Sequence, residues 1–103
     1  MRLIVVDGVR RGCVGFRTFD DCVKIDSFYL DASLHGTGLG TAILKGLLAE
    51  ADALEKPVRL EVLTGSKADR FYLRHGFVKL REDEIEGEYE RAVPETKSVS
   101  SRA

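Results

Sequence analysis

A glycine-rich turn is the stretch of this sequence best suited to hold an anion. Glycines alternate with other residues in His35-Gly36-Thr37-Gly38-Leu39-Gly40-Thr41, between a strand-like run and a helical pattern. Glycine permits positive φ and a close backbone approach, and the free N–H groups of a helix start favour negative charge. The pattern predicts a phosphate site or, alternatively, a tight connection whose glycines only relieve crowding.

The two cysteines are the other residues whose side chains could carry chemistry. Cys13 and Cys22 fall in or beside predicted strands, and neither is near a histidine or helix terminus that would activate a thiolate. We expect small buried side chains rather than a disulfide or a nucleophile. The sequence shows no cysteine and histidine spacing typical of zinc, so we predict no metal.

The first part of the chain predicts an antiparallel meander of strands. Asp7-Gly8 separates the apolar run 3–6 from a strand over 12–18, and a further strand covers 22–30. This third strand is expected to alternate, with one face formed by Val23, Ile25, Ser27 and Tyr29. The run Phe28-Tyr29-Leu30 is apolar on both faces, which predicts a central strand covered on both sides.

A helix and a parallel strand are predicted after the glycine turn. Apolar residues recur with the helical period from Gly38 to Leu54, and 58–62 then alternates as a strand parallel to the third. A second helix is predicted to follow. It begins near Ser66, which together with Asp69 resembles a capping arrangement, and it ends at Gly76.

The last predicted strand carries an acid-rich face. Glu86, Glu88 and Glu90 are expected to be solvated there, the alternative being attraction of a polyamine. Residues 94–103 are small and polar, which predicts a disordered tail after a single domain over 1–93.

Length and composition limit the possible classes of protein. A chain of 103 residues, 44% apolar and 32% charged, suits one small soluble globular domain. A net charge of −1 provides no basic field for nucleic acid or an anionic membrane. No apolar run reaches the length of a membrane span and no signal-peptide pattern is present, so we expect a cytoplasmic protein.

Two motifs taken together resemble the GNAT superfamily of acetyl-CoA-dependent N-acetyltransferases. The family's pyrophosphate motif is Arg or Gln, two residues, Gly, one residue, then Gly or Ala; 35–40 fits it, with histidine in first place. A second family motif, Asn-x-x-Ala followed by Tyr and Gly-Phe, matches Ala68, Tyr72 and Gly76-Phe77. Gly65 replaces its asparagine.

The resemblance covers roughly residues 2–93 and implies an α+β (α/β) fold built on a mixed sheet. An antiparallel meander would be followed by strand, helix, strand, helix, strand and a terminal antiparallel strand. The family's first strand and two helices, which form part of the acceptor wall, have no counterpart in this sequence.

The resemblance also implies roles for individual residues. Acetyl-CoA would be the co-substrate, without a metal, and a small-molecule or protein amine would attack its thioester directly. Tyr72 would be the general acid at the sulfur and Asp26 the base, with Asp31 or a water chain as alternatives; Asp26 could equally be a solvated strand carboxylate. His75 is expected at the surface. The implied cofactor-binding residues are Phe28, Tyr29, Leu30, His35, Gly36, Thr37, Gly38, Leu39, Gly40, Thr41, Ala68 and Phe71.

Two other classes of function stay open at this point. The missing N-terminal elements and Gly65 are compatible with a non-catalytic CoA-binding or interaction module that has a degenerate fold. An unrelated nucleotide-binding module is the other possibility. The abbreviated sheet would leave an exposed edge strand and apolar surface, which predicts a homodimer, and neither nucleic acid nor membrane is expected as a partner.

Overall fold

A computed structural model describes residues 1–94 of the chain and shows one mixed sheet with two α-helices. The predicted tail, from residue 95 onward, lies outside the described residues. The elements are β1 (Arg2–Val6), β2 (Val9–Thr18), β3 (Val23–Leu30), a 3₁₀ turn (Ala32–Leu34), α1 (Leu39–Ala53), β4 (Val58–Leu63), α2 (Ala68–Arg74), β5 (Val78–Glu82) and β6 (Glu86–Arg91).

The six strands lie in the order β1-β2-β3-β4-β6-β5. Strands β1, β2 and β3 form the predicted antiparallel meander, and α1 connects β3 to β4 as a parallel pair. Strand β6 lies antiparallel between β4 and β5. The mixed α+β sheet expected from the sequence is therefore confirmed.

One face of the sheet and both helices share a single hydrophobic core. The apolar stripe of α1 is buried because its residues recur with the helical period and point towards the sheet. Phe77 and Tyr89 extend the same cluster towards the far edge of the sheet. The buried members from the helices and central strands are Val14, Val23, Ile25, Leu44, Leu47, Leu48, Ala51, Val58, Leu60, Val62 and Tyr72.

A bulge in β3 overturns the predicted alternation of that strand. Ser27 has a φ of 53°, and the register between β2 and β3 shifts between Cys13 and Gly15. One extra residue reverses which face each following side chain takes. Phe28 therefore packs against the core, whereas Tyr29 is 61% exposed. Ser27 and Tyr29 do not continue the face of Val23 and Ile25, and the strand is not covered on both sides.

Strands β3 and β4 separate soon after they begin. Over the described chain they pair only at Val23 with Val58 and at Lys24 with Arg59. Beyond Lys24 the second half of β3 has no strand beside it on the β4 side. Since α1 and α2 cover one face of this gap, the separation opens a cleft beneath the helices.

The other face of the sheet carries paired charged side chains from β2 across to β5. Arg17 lies 3.1 Å from Asp26, and Arg59 lies 2.8 Å from Glu90. Glu86, Glu88 and Glu90, predicted to be solvated, are half-buried and are paired with arginines.

Gly12 offers a direct test of the packing between β2 and β3. A Cβ at this position would overlap the backbone carbonyl oxygen of Tyr29, which cannot move without disturbing the strand pairing. We expect Gly12→Ala to lower the free energy of unfolding by about 2–3 kcal/mol, as overpacking does. Urea denaturation followed by circular dichroism measures the change.

Gly46→Ala is the matched control for that substitution. Gly46 lies within α1, and a Cβ there would meet open space. Because alanine is the better helix former, the variant should gain about 1 kcal/mol. Equal stability of the two variants would contradict the close approach of β2 to the Tyr29 carbonyl.

Candidate functional site

A cavity of about 680 Å³ lies between the second half of β3, the glycine turn and α2. It occupies the cleft that the separation of β3 from β4 leaves open. Most of the residues predicted from the sequence meet at its wall. They are Phe28, Tyr29, Leu30, His35, Gly36, Gly38, Gly40, Thr41, Ala68, Phe71 and Tyr72.

The glycine turn presents backbone N–H groups at the start of α1. Gly36 and Gly38 have φ values of 81° and 87°, a conformation that favours glycine. The N–H of Ala42 donates the first helical hydrogen bond, to the carbonyl of Gly38 at 3.0 Å. The N–H groups of Gly40 and Thr41 precede it and meet no acceptor in the part of the chain described, so both can bind an anion.

Thr37 shapes this turn from outside the cavity wall. Its hydroxyl donates to the carbonyl of Leu34 at 2.6 Å and accepts the N–H of Leu39 at 3.3 Å. The predicted residues Thr37 and Leu39 are not among the residues that line the cavity. Because the Leu39 N–H is already used by Thr37, the anion-binding groups are expected one position later than Leu39.

His35 joins the turn to the end of β3. Its Nε2–H lies 2.8 Å from the carbonyl oxygen of Leu30 and donates to it. The ring thus links the turn to the end of β3. A Cβ on Gly40 would lie 3.7 Å from Leu30 Cδ2 and 3.9 Å from Phe71 Cζ, so β3, α1 and α2 meet at this glycine.

Tyr72 is the buried polar residue of the cavity. Its ring packs at 5.2 Å from Phe71 and 5.5 Å from Phe77, measured between ring centroids. Burial raises the pKa of Tyr72 to about 12, so the hydroxyl keeps its proton at neutral pH. A protonated hydroxyl held in an apolar wall can donate a hydrogen bond to a developing anion.

Local signals hold α2 in place much as the sequence indicates. The Ser66 hydroxyl accepts the Ala68 N–H at 3.1 Å, and Gly76 closes the helix with a φ of 90°. Asp69 does not complete a capping box, since its carboxylate accepts a hydrogen bond from the hydroxyl of Tyr89 on β6. This bond ties α2 to the sheet and so fixes the position of Tyr72.

Neither acidic candidate for the base faces the cavity. Asp26 lies on the charged face of the sheet, 3.1 Å from Arg17, because it precedes the bulge at Ser27. Asp31 accepts the N–H of Ser33 and starts the 3₁₀ turn. Hydrogen bonding from Ser33 keeps the pKa of Asp31 below its ordinary value, so it stays ionised as a cap.

Four lining residues were not predicted: Leu34, Ser66, Lys67 and Arg74. Lys67 and Arg74 were detectable, because they share a helical stripe with Ala68 and Phe71, at spacings of three and four residues. Their charge hides this signal, since a charged position on an amphipathic helix is normally assigned to solvent.

His75 is half-buried rather than a free surface residue. Its ring lies 4.9 Å from that of Phe71, and its Nε2 is buried without a hydrogen-bond partner. Burial, together with the charges of Arg74 and Lys45, lowers the pKa of His75. The imidazole therefore stays neutral to a lower pH than a free histidine.

The two cysteines are free thiols, and Cys13 is half-buried rather than buried as expected. Cys22 is buried, and burial raises the pKa of its thiol, while Cys13 donates to the carbonyl of Ser27 at 3.7 Å. Within residues 1–94, no group of three or more His, Cys, Asp or Glu side chains is arranged to hold a metal ion. None of the described helices is long and apolar enough to cross a membrane.

Comparison with known protein families decides the classification. The family model described as an acetyltransferase (GNAT) domain matches residues 3–99. The chain belongs to the GNAT acetyltransferase family. The resemblance inferred from the two motifs is therefore confirmed, and the fold is that of an acyl-CoA-dependent acetyltransferase domain.

Solved GNAT structures support the same fold. Ard1 from Thermoplasma volcanium is 25% identical, with a TM-score of 0.76 over 89% of this chain and 69% of that one. PaiA N-acetyltransferase from Thermoplasma acidophilum, solved with coenzyme A, is 17% identical, with a TM-score of 0.77 over 85% of this chain and 57% of that one.

The ribosomal-protein-S18-alanine N-acetyltransferase from Escherichia coli is a further match. It is 17% identical, with a TM-score of 0.76 over 88% of this chain and 66% of that one. This GNAT chain therefore spans about two thirds or less of the length of most of these structures. No curated protein sequence matches it.

His75 predicts a pH dependence of stability. Because its folded pKa is lowered, the unfolded chain binds more protons than the folded one below about pH 6.5, the ordinary value for histidine. Stability should fall as the pH drops from 6.5 through the lowered value, and His75→Gln should remove that part of the slope. Urea denaturation of both proteins between pH 7.5 and 5 measures it; identical slopes would contradict the prediction.

Proposed function

We propose that this GNAT chain transfers an acetyl group from acetyl-CoA to a primary amine by direct attack within a ternary complex. The observation that carries the proposal is a single cavity. It brings together free N–H groups at the start of α1, an unpaired stretch of β3 and the Tyr72 hydroxyl. These three features match the phosphates, the amide-bearing arm and the thioester of one elongated ligand.

The glycine turn supplies the phosphate end of the site. The N–H groups of Gly40 and Thr41 point at the pyrophosphate, which the helix dipole also favours. The second half of β3, from Phe28 to Leu30, lies without a partner on the β4 side. The pantetheine amides fill that place as an added strand would, because free backbone groups at a sheet edge bind an extended ligand.

The chemistry takes place at the other end of the cavity. The amine nitrogen attacks the thioester carbonyl carbon, a C–N bond forms, and the C–S bond breaks to release the CoA thiolate. The Tyr72 hydroxyl donates its proton to that sulfur. The apolar wall that raises the pKa of Tyr72 disfavours a bare thiolate in the same way. It therefore raises the proton affinity of the sulfur as well as that of the hydroxyl, so a proton can pass from one to the other.

Ordered water is the proposed route for the proton that the amine loses. Asp26 lies on the opposite face of the sheet and Asp31 caps the 3₁₀ turn, so neither reaches the cavity wall. Tyr72 regains its proton by the same water. The acceptor, a small molecule or a protein amine, is left open, and the cytoplasm is the proposed location.

Tyr72→Phe tests the proposed acid. Phenylalanine keeps the ring contacts with Phe71 and Phe77 and removes the hydroxyl alone. We expect kcat to fall by roughly 10²-fold or more while KM for acetyl-CoA changes little. Thiol release over a panel of primary amines measures it, and circular dichroism confirms the fold.

Asp26→Asn is the matched control, with kcat expected within about twofold of the wild type because Asp26 lies outside the cavity. Loss of activity in a folded Asp26→Asn protein would show that Asp26 acts as the general base. CoA binding without turnover on any amine would favour the non-catalytic alternative.

A homodimer is proposed on the uncovered face of the sheet. Leu3, Cys13 and Tyr29 are in register across β1, β2 and β3, and Leu3 is 57% exposed beside the free edge of β1. An apolar row next to an unpaired edge strand favours association with a second copy.

Leu3→Glu tests the proposed dimer by placing a charge in that apolar row. We expect sedimentation equilibrium to show a dimer for the wild type and a monomer for the variant, since burying an unpaired carboxylate is costly. Lys45→Gln, on α1, is the control and should leave the mass unchanged. A monomeric wild type would rule the dimer out.

A further inference from the structure

Helix α2 carries Tyr72 but is too short to be stable by itself. It has seven residues, Ala68–Arg74, and isolated helices of that length do not persist in water. Its C-terminal end is fixed by the chain that follows, because the Tyr72 carbonyl accepts the N–H groups of His75 at 3.0 Å and Phe77 at 3.2 Å. The direction of the Tyr72 hydroxyl therefore depends on what fixes the N-terminal end of the helix.

Tyr89 on β6 contacts the N-terminal end of α2. Its backbone is held from both sides, because Leu60 of β4 and Lys79 of β5 lie opposite it in the sheet. Tyr89 is 3% exposed, and its hydroxyl donates a hydrogen bond to the carboxylate of Asp69. Such a bond is stronger than one between two neutral groups. Since Asp69 precedes Tyr72 by three residues, the bond is made on the same side of the helix as the Tyr72 side chain.

Gly87 leaves room for the ring of Tyr89. The two residues are two positions apart on β6, so they share a face of the sheet. A Cβ on Gly87 would lie 3.2 Å from Tyr89 Cε1 and 3.7 Å from the Tyr89 hydroxyl oxygen. The Arg81 carbonyl oxygen of β5 would lie 3.4 Å from the same Cβ, so the added carbon is confined on that side too. The absence of a side chain at Gly87 thus lets the Tyr89 ring take the position from which it reaches Asp69.

We propose that Tyr89 and Asp69 are positioning residues for the transfer reaction. Their hydrogen bond sets the rotation of α2 about its axis and so aims the Tyr72 hydroxyl at the thioester sulfur. The inference rests on the proposed role of Tyr72 as the acid. Neither positioning residue is among those that line the cavity, so both act through Tyr72 and not on the ligand. A displacement of a reacting group by about 1 Å can lower a rate by roughly 100-fold.

Tyr89→Phe tests the inference, because it keeps the buried ring and removes the hydroxyl. We expect kcat for amine-dependent thiol release to fall by about tenfold or more, with KM for acetyl-CoA within about twofold of the wild type. Asp69→Ala should have the same effect, whereas Asp69→Asn should keep kcat within about threefold of the wild type, because its amide oxygen still accepts the Tyr89 hydroxyl. Wild-type kcat in Tyr89→Phe would overturn the inference. Equal kcat in the two Asp69 variants would overturn it even if Tyr89→Phe fails to fold.

The Tyr72→Phe protein separates positioning from a general structural role. If Tyr89 acts through the Tyr72 hydroxyl, adding Tyr89→Phe to Tyr72→Phe should leave kcat within about twofold of that of Tyr72→Phe alone. A residue that only stabilises the fold would lower kcat by the same factor whether or not the Tyr72 hydroxyl is present. Additive losses in the double variant would therefore overturn the inference.

Lys79→Gln is the control variant. Lys79 lies 3.9 Å from Asp69 and 2.7 Å from Glu82, in partly exposed ion pairs of the kind that contribute little, and its loss leaves the Tyr89 hydroxyl in place. It should keep the wild-type kcat, and a loss as large as that of Tyr89→Phe would overturn the inference by showing that charge near Asp69 is responsible. Wild-type kcat in Tyr72→Phe would instead overturn the proposed acid. A fall in Tyr72→Phe with none in Tyr89→Phe overturns the inference alone, so the two failures are distinguishable.

Discussion

The separation of β3 from β4 is the feature on which the rest of the site depends. The two strands pair over only their first residues, and the bulge at Ser27 then turns β3 so that Phe28 and Leu30 face the helices. A continuous sheet would have satisfied its backbone groups internally and left no cavity. In this sheet β3 and β4 pair only at their first residues, and the unpaired edge of β3 can bind an extended ligand.

The core keeps this opened sheet from rearranging. Leu44, Leu47 and Leu48 anchor α1 to the central strands, and Tyr72 anchors α2 beside Phe77. The hydrogen bond from Tyr89 to Asp69 and the ion pair of Arg91 with Asp52 fasten each helix to β6. Because both helices are fastened to β6, the glycine turn and the Tyr72 hydroxyl stay at a fixed separation across the cavity.

Charge is distributed differently on the two sides of the molecule. On the uncovered face, acidic and basic side chains alternate across neighbouring strands and neutralise one another. In the wall of the cavity, Lys67 and Arg74 have no ion pair among the described residues. Unpaired positive charges near a helix start attract anions. The cavity therefore favours a polyanionic ligand, although the net charge of the whole chain is small.

Local patterns in the sequence were enough to predict the strands, both helices, the positive-φ glycines and the two motifs. Each of these features depends on neighbours within a few residues. They were also enough to place Tyr72 and the glycine turn in one site, through the order of the motifs. The bulge at Ser27 could not be predicted, since it depends on how β2 and β3 pair across the sheet. That single residue decided that Asp26 lies outside the cavity.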